Sequence, residues 1–267
     1  MGEGKGTKLY GIIGHPVAHS LSPNMHNAAF KALGINAVYL AFDVVDLRGA
    51  IQGVRALGVK GLSVTVPHKE AVIEFIDVVD QHVRSIGALN TIVNNDGLLY
   101  GTNTDWLGAV RAIEEICPIA GKRALVVGAG GSAKAIVYGL TLKGATVHVA
   151  NRTESRAKEL ADRFGATFSG LSLSEELSFD ILINATTCGM GGDTTMPVSI
   201  EVVKKAEVVM DIVYAPLETP LLKTAKALKK TTIDGLKMLL YQAVGQFELW
   251  TGKKAPVEVM KNAIYGA

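Results

Sequence analysis

The stretch RALVVGAGGSAKAIVYGLTLKGATVHVANRT, residues 123–153, constrains the fold more than any other part of the chain. Its first apolar run, Arg123–Val127, predicts a short strand that ends at a glycine. A helix is predicted to extend from there to Leu142, and a second strand to end at Asn151. A strand, a helix and another strand in this order predict a βαβ unit, because parallel strands need such a crossover.

The turn inside this unit has the spacing of a dinucleotide-binding fingerprint, GxGxxA. Gly128 permits a tight bend, Gly130 lets backbone N–H groups approach a pyrophosphate, and the small Ala133 lets the helix pack on the strand. The sequence therefore predicts a Rossmann-like domain in which a dinucleotide meets the positive end of the helix. The residues assigned to this contact are Gly128, Ala129, Gly130, Gly131 and Ser132.

The end of the second strand indicates which dinucleotide is bound. A carboxylate about 20 residues beyond the fingerprint is typical of NAD sites, where it binds the ribose hydroxyls. This chain instead has Asn151, Arg152 and Thr153 there, with Arg156 a turn later. Guanidinium groups and a hydroxyl can bind a 2′-phosphate through charge-assisted hydrogen bonds, so these four residues predict NADP. The alternative is that Thr153 caps the next helix and both arginines are solvated.

The amino-terminal part of the chain shows another alternation of strands and helices. Strands are predicted for the runs KLYGIIG, AVYLAF and GLSVTV, and helices over Pro23–Leu33 and Leu47–Leu57. This order predicts an open, twisted, mostly parallel sheet. Two strand-like runs then flank Asp96-Gly97, a tight-turn signal that predicts an antiparallel hairpin. We expect this α/β domain to close near Thr104, before a helix over Asp105–Glu115.

Composition excludes several classes of partner. The chain has 267 residues, a net charge of +2 and 19% charged residues, so it lacks the basic footprint that nucleic acid or an anionic membrane surface requires. Lys134 and a glycine cluster interrupt its most apolar long region, which argues against a membrane span. Cys117 and Cys188 lack CxxC spacing, which favours a reducing compartment, the cytoplasm, and argues against a zinc site.

Three histidines near the amino terminus suggest a metal site at first sight. They are His15, His19 and His26. Pro16 breaks the helix that would align the first two, and no acidic partner accompanies them. We therefore predict no metal.

Lys69 stands in an unusual position. The run LSVTV predicts a strand and Pro67 is well placed to start a helix, so Lys69 would lie in that helix's first turn. This turn is the positive end of the helix dipole, which disfavours an ammonium group. A function would explain the position, but a solvated surface lysine is the alternative because the penalty is small.

Other candidates are polar residues near the ends of predicted elements. Ser22 precedes Pro23 and is expected to cap a helix, while its hydroxyl could also donate to a ligand carboxylate, and Ser20 lies two residues earlier. Thr65 and Asn90 are expected on strands, with Thr65 at the carboxyl end that usually faces ligands. For both residues a structural hydrogen-bond network is the alternative.

A series of motifs from Gly14 to Gln242 resembles, in its order, the shikimate dehydrogenase family. The motifs are GHPVAHSLSPNMHN, SVTVPHKE, GALNT, GTNTDWLG, VVGAGGSAKA, NRT, NATTCGM and DGLKMLLYQA. The resemblance implies a two-domain, NADP-dependent enzyme that reduces 3-dehydroshikimate to shikimate on the route to chorismate. It also implies a substrate domain over residues 1–104, completed by helices over 236–267, and an NADP-binding domain over 105–235.

The resemblance assigns roles to individual residues as well. It makes Lys69 the proton carrier, oriented by Asp105, and it implies that the substrate lies between the domains. The substrate-binding residues that it implies are Ser20, Ser22, Thr65, Asn90, Tyr214 and Gln242. The nicotinamide would be bordered by Ile212, Gly235 and Met238. By spacing alone, Gln242 lies off the centre of its helix's apolar stripe, where a solvent-facing glutamine is the default.

Two other functions stay open at this stage. One is an NAD-preferring quinate/shikimate dehydrogenase, which normally has an acidic residue where this chain has Asn151-Arg152-Thr153. The other is a non-catalytic NADP sensor with the same fold, against which the presence of Lys69 and Asp105 argues. A monomer and a homodimer are both compatible with the sequence.

Overall fold

The computed structural model describes residues 6–173 and 177–266, which form two units. The first unit takes the described parts of residues 1–104 and 242–267, and the second unit takes those of residues 105–241. Each unit is built around its own sheet.

In the first unit, strands and helices alternate up to a hairpin. The elements are β1 (Lys8–Gly14), α1 (Ser22–Ala32), β2 (Ala37–Asp43), α2 (Leu47–Ala56), β3 (Gly61–Val64), a 3₁₀ helix (Ala71–Phe75), β4 (Val78–Val79), α3 (Gln81–Ile86), β5 (Thr91–Asn95) and β6 (Leu98–Thr102). Within the residues that the structure describes, the strands pair in the order β2-β1-β3-β5-β6-β4. β1 runs parallel to β2 and β3, whereas β5 is antiparallel to β3 and β6.

The predicted strands and hairpin of this unit are present, and so are the helices predicted over Pro23–Leu33 and Leu47–Leu57, with shifts at the ends of these elements. The hairpin turns at Asp96-Gly97, where both residues have a positive φ, as a tight turn requires. Thr65 and Asn90 were expected on strands, and this is wrong for both. β3 ends at Val64 and β5 begins at Thr91, because the ladder between them extends only as far as the pair Ser63 and Thr91.

The α-helix predicted to begin at Pro67 does not form. Residues 67–70 make turns, and the N–H of His68 donates to the carbonyl of Thr65 at 2.9 Å. The buried His68 ring lies with Nε2 2.8 Å from the carbonyl oxygen of Val44. This contact with a distant part of the chain holds the segment in a turn. Lys69 therefore does not lie at the positive end of an α-helix dipole.

The strands that the structure describes in the second unit all pair in parallel. Its elements are α4 (Asp105–Glu114), β7 (Arg123–Val127), α5 (Gly131–Leu142), β8 (Thr146–Ala150), α6 (Glu154–Phe164), β9 (Thr167–Ser169), β10 (Ile181–Asn184), α7 (Ile200–Lys205), β11 (Val208–Asp211), α8 (Pro220–Ala227) and β12 (Thr231–Ile233). The chain ends with α9 (Gly235–Thr251) and α10 (Val257–Tyr265), and the residues of these helices from 242 onward belong to the first unit. Over the described ranges the sheet order is β12-β11-β10-β7-β8-β9, the doubly wound order of a dinucleotide-binding fold. The predicted fold class is confirmed.

Burial explains why the sequences of these strands are continuous runs of apolar residues. Every residue of β10 and β11 is buried, and so are all residues of β7 after Arg123. Val126 packs on one face of the sheet with Ile136, whereas Leu125 packs on the other with Leu182, as the alternation of side chains in a strand requires. Of the helices formed by the described residues, none has the length and apolar character needed to cross a membrane.

Candidate active site

The fingerprint turn lies where the strand order of the second sheet reverses. β7 pairs with β8 on one side and β10 on the other, and ligands of such sheets bind outside the strand ends at this point. Gly128 follows β7 with a φ of +122°, and a Cβ built on it would lie 2.9 Å from the carbonyl oxygen of Ala185. A residue with a side chain would be strained in this bend, which accounts for the first glycine of the fingerprint.

The second glycine leaves open space at the start of α5. Gly130 is the N-cap residue of this 12-residue helix, and the first turn contains no acidic residue. A Cβ built on Gly130 would have no heavy atom within 4 Å. The space beside the positive end of the helix is therefore free for phosphate groups, and the turn fits a dinucleotide.

The end of β8 carries donors suited to a further phosphate. Arg152, Thr153 and Arg156 are exposed, and Asn151 donates from Nδ2 to the carbonyl of Thr153 at 2.9 Å. Thr153 is the N-cap residue of α6, but its side chain makes no capping hydrogen bond. The capping alternative does not explain this threonine. The guanidinium groups of Arg152 and Arg156 and the hydroxyl of Thr153 have the chemistry that the 2′-phosphate of NADP requires.

A buried carboxylate holds the loop that follows β11. Asp211 accepts hydrogen bonds from Nδ2 of Asn184 at 2.9 Å, the N–H of Val213 at 3.0 Å and the hydroxyl of Thr219 at 2.6 Å. Burial raises its pKa to about 6, against the opposing effect of these hydrogen bonds. The loop thus has a fixed conformation at its base.

The residues predicted to border the nicotinamide lie on this loop and at the start of α9. Ile212 donates its N–H to the carbonyl of Asn184 at 3.1 Å. A Cβ built on Gly235 would lie 2.5 Å from the carbonyl oxygen of Ile212, so only glycine permits this approach. Met238 is buried one turn further along α9. Tyr214 is half-buried on the same loop, and burial raises its pKa.

In the first unit, Lys69 lies in the turn after β3. Its side chain is half-buried, and its carbonyl accepts the N–H of Leu89 at 2.8 Å, one residue before Asn90. This bond ties the lysine segment to the asparagine segment. Thr65 directly follows β3, and a Cβ on Gly14 would come within 2.4 Å of its Cγ2. The glycine therefore leaves room for the threonine side chain.

Asn90 lies in a buried polar cluster. Its Oδ1 accepts the N–H of Thr104 at 2.7 Å, and its Nδ2 lies 3.0 Å from the hydroxyl of the same threonine. Nδ2 also donates to Oε1 of Gln242 at 3.3 Å. Gln242 is only 7% exposed, so the solvent-facing default is wrong for it. Two predicted substrate ligands that are far apart in sequence thus meet in one place.

The two serines near the start of α1 have a different geometry from the predicted cap. The helix begins at Ser22 itself, and the side chain of its N-cap residue, Leu21, makes no capping hydrogen bond. Ser22 is buried, and its N–H donates to the hydroxyl oxygen of Ser20 at 3.3 Å. The capping explanation therefore fails for Ser22, and the backbone contact accounts for the position of Ser20.

The remaining candidates are the acid at the start of α4 and the histidines. Asp105 is the first residue of α4 and is buried, which suits a carboxylate because the helix dipole favours it there. His15 is exposed and lies 2.7 Å from Asp43, whereas His26 is fully buried among aromatic rings. Residues 6–173 and 177–266 contain no group of three or more His, Cys, Asp or Glu side chains that could hold a metal ion.

Several polar residues of these clusters were not predicted. Thr104 and Asn184 lie within the motifs GTNTDWLG and NATTCGM, and Asp211 ends an apolar strand, so each stood in a segment already singled out. Gln246 and Thr91 are completely buried beside Asn90. A polar residue on the apolar face of a predicted helix was the available signal for Gln246.

Comparison with known sequences identifies the family. The shikimate dehydrogenase substrate binding domain matches residues 12–92, Shikimate / quinate 5-dehydrogenase matches residues 111–236, and the Shikimate 5′-dehydrogenase C-terminal domain matches residues 235–265. The shikimate dehydrogenase (NADP(+)) of Thermococcus kodakarensis is 51% identical over 263 residues, which cover 96% of this chain and 96% of the relative. The chain belongs to the shikimate dehydrogenase family. The resemblance inferred from the motifs is confirmed.

Further members show the same relation. The shikimate dehydrogenase (NADP(+)) of Pyrococcus abyssi is 48% identical over 259 residues, with 96% of both chains covered. The shikimate 5-dehydrogenase of Thermus thermophilus, solved in complex with NADP(H) and shikimate, superposes with a TM-score of 0.89 at 37% identity and covers 96% of this chain and 98% of its own. The similarity to shikimate dehydrogenases thus extends over both units.

Proposed function

We propose that the chain is a shikimate dehydrogenase that reversibly reduces 3-dehydroshikimate to shikimate with NADPH, in the pathway to chorismate and the aromatic amino acids. It is an oxidoreductase acting on a ring CH–OH group. The observation that supports this most directly is the meeting of Asn90 and Gln242, 152 residues apart in sequence, in one buried cluster of hydrogen-bonding groups. Such groups suit a small polyhydroxylated ring better than an apolar ligand.

The first unit carries most of the residues that we assign to the substrate. Ser20 and Ser22 would bind the carboxylate, and Thr65, Asn90 and Gln242 the ring hydroxyls. Tyr214 belongs to the second unit and is assigned to the carboxylate end as well. Buried amides favour a ligand hydroxyl over an apolar group at such a place, because only the hydroxyl can form hydrogen bonds with them.

The second unit carries the residues that we assign to the cofactor. The open helix start beside Gly130 would take the pyrophosphate, and the end of β8 the 2′-phosphate. Ile212, Gly235 and Met238 would form the wall against which the nicotinamide lies. When bound, NADPH supplies the hydride that goes to the ketone carbon.

Lys69 would supply the proton of the reaction. As hydride reaches the carbonyl carbon, negative charge develops on the carbonyl oxygen, and the ammonium group donates a proton to it. In the reverse direction the neutral amine removes the proton from the hydroxyl. We assign to Asp105 the role of orienting this amine, and Thr104, directly before it, is fixed by Asn90 at 2.7 Å.

The test is an absorbance assay of NADP reduction with shikimate, repeated with quinate and with NAD. We expect the largest kcat/KM for shikimate with NADP, because arginines and not a carboxylate lie at the end of β8. A larger value for NAD would instead favour the quinate/shikimate dehydrogenase that prefers NAD. No turnover with any pair would contradict the assignment as an enzyme.

We also propose a reducing compartment, the cytoplasm, since Cys117 and Cys188 are free thiols. Light scattering coupled to gel filtration would decide between the monomer and the homodimer that the proposal allows.

A further inference from the structure

A chain of buried hydrogen bonds leads through the first unit to Asn90. The hydroxyl of Tyr39 donates to Ser63 Oγ at 2.5 Å, and Ser63 Oγ donates to Oε1 of Gln246 at 2.8 Å. Nε2 of Gln246 in turn donates to the Thr91 hydroxyl at 3.0 Å and to the carbonyl of Asn90 at 3.1 Å. All five side chains are at least 96% buried.

The orientation of the Gln246 amide follows from its partners. The carbonyl oxygen of Asn90 can only accept, so the group that faces it must be the NH₂ of Gln246. The amide oxygen therefore faces Ser63, which must donate its single proton to it. Tyr39 must then donate to Ser63, and burial raises the pKa of Tyr39, which keeps its hydroxyl protonated.

The same reasoning fixes the amide of Asn90. The N–H of Thr104 can only donate and lies 2.7 Å from Oδ1 of Asn90, and the hydroxyl of Thr91 also donates to this oxygen, at 2.7 Å. The Thr91 hydroxyl has one proton to give, so it accepts from Gln246 with a lone pair. With its oxygen thus occupied, Asn90 turns its NH₂ group toward Gln242.

We propose that Gln246 is a positioning residue for substrate binding, because it holds Thr91 so that Asn90 offers its NH₂ group to an oxygen of the substrate. The proposal rests on the proposed function, in which Asn90 and Gln242 bind the ring hydroxyls. Gln246 acts through its neighbours. Together with the N–H of Thr104, the Thr91 hydroxyl that Gln246 holds keeps the oxygen edge of the Asn90 amide occupied. The NH₂ edge is then the one that meets the ligand, which favours a substrate oxygen that accepts a hydrogen bond at that position.

Gln246→Met tests this role, since methionine has a similar length, no hydrogen-bond donor and only a weakly accepting sulfur. With the Thr91 hydroxyl no longer held, the N–H of Thr104 alone fixes Oδ1 of Asn90, and the amide is oriented less firmly. We expect KM for shikimate to rise about tenfold, the effect of losing one well-aligned hydrogen bond. The Kd for NADP should stay within about twofold, because every residue assigned to NADP lies in the second unit. Titration calorimetry with shikimate alone should show the same loss of affinity.

Phe247→Leu is the matched control. Phe247 is also completely buried on α9 and is the next residue, so its truncation destabilises the same core without touching the hydrogen bonds. We expect this variant to lose stability and to keep the shikimate KM of the wild type. Equal shikimate KM values in the two variants would overturn the proposal.

Thr91→Val gives an independent readout, because it removes the relay hydroxyl and nearly keeps the side-chain shape. If Gln246 acts through Thr91, the double variant should have the shikimate KM of the Gln246→Met variant, whereas independent effects would multiply. Multiplied effects would therefore contradict the relay. A wild type that is inactive with shikimate and NADP would contradict the proposed function instead, and the two failures are thus distinguishable.

Discussion

Two buried ionisable side chains respond to acid in opposite directions. Burial lowers the pKa of His26 to about 3, and the side chain of Gln246 has a smaller opposing effect. Burial raises the pKa of Asp211 to about 6. His26 is stacked on Tyr39, with ring centroids 4.5 Å apart, and is therefore held as a neutral ring in the folded first unit.

The histidine makes the folded state sensitive to mild acid. The unfolded chain binds a proton at His26 as the pH falls through about 6.5, whereas the folded chain does not until about pH 3. Stability therefore falls as the pH falls through this window, by about 2 kcal/mol between pH 7 and pH 5 from this group alone. Urea unfolding should show that His26→Phe loses less stability than the wild type over that interval. Equal losses would contradict the neutral buried ring.

Asp211→Asn supplies the opposite sign as a control. Because the folded pKa is above the unfolded one, the folded state gains a proton first as the pH falls, and the wild-type aspartate contributes stability on acidification. The variant should therefore lose more stability than the wild type between pH 7 and pH 5.

Lys69, in the turn after β3, is the residue that we expect to transfer the proton. Lys69→Ala should lower kcat by about 10²- to 10⁴-fold, the usual contribution of a general acid or base, because the developing alkoxide loses its proton donor. The Kd for NADP should change little. Lys60→Ala is the control, since the side chain of Lys60 is 41% exposed and pairs with Asp96 at 3.2 Å. Wild-type turnover in the Lys69 variant would remove the proposed role.

The environment of some residues could be predicted from the sequence, and that of others could not. The fingerprint glycines could be assigned from the sequence, because their reason is local: a bend and an open approach. The turn around Lys69 could not, since the contact between His68 and Val44 is not local. The burial of Gln242 was missed for the same reason, as it depends on Asn90, far away in the chain.

At the scale of elements, the turn from β7 to α5 separates two uses of glycine. Gly128 has a positive φ, and a Cβ built on it would lie 2.9 Å from the carbonyl oxygen of Ala185. Gly130 has a φ of −86°, and a Cβ built on it would have no heavy atom within 4 Å. The first glycine serves the fold, and the second serves the ligand.

This difference predicts opposite outcomes for the two alanine variants. Gly128→Ala should lower the unfolding midpoint, with a loss of roughly 1–3 kcal/mol, because the strained backbone and the close carbonyl both oppose it. Gly130→Ala should fold with nearly wild-type stability and bind NADP at least about tenfold more weakly, since its Cβ occupies the approach of the pyrophosphate. Thermal unfolding and NADP titration measure the two effects. A Gly130 variant with unchanged NADP affinity would contradict the assigned approach.

At the scale of the whole molecule, most residues assigned to the substrate lie in the first unit, and all residues assigned to the cofactor lie in the second. Shikimate alone should slow amide hydrogen exchange around residues 63–69, 88–91 and 242–246, whereas NADP alone should slow it around residues 127–133 and 150–156. The reason is that bound ligands stabilise the segments that contact them. Exchange measured by mass spectrometry with each ligand in turn would test the division. Protection of the fingerprint turn by shikimate without protection of residues 63–69 would contradict it.

Most of the fold, including the two sheets, could be predicted from the sequence. Short apolar runs between amphipathic helices have few interpretations other than parallel strands, so both sheets could be predicted. The pairing of β4 could not, because a strand of two residues has no periodicity to detect. Strand ends such as Val64 depend on where a neighbouring ladder stops, which the sequence of one strand does not contain.

Arg152 and Arg156, which follow β8, lie on the surface. Substitutions at such positions usually change the free energy of unfolding by less than about 0.5 kcal/mol. The preference between phosphorylated and unphosphorylated coenzyme is therefore separable from folding. Substitution of these arginines, in evolution or by design, could change which coenzyme is used with little effect on stability.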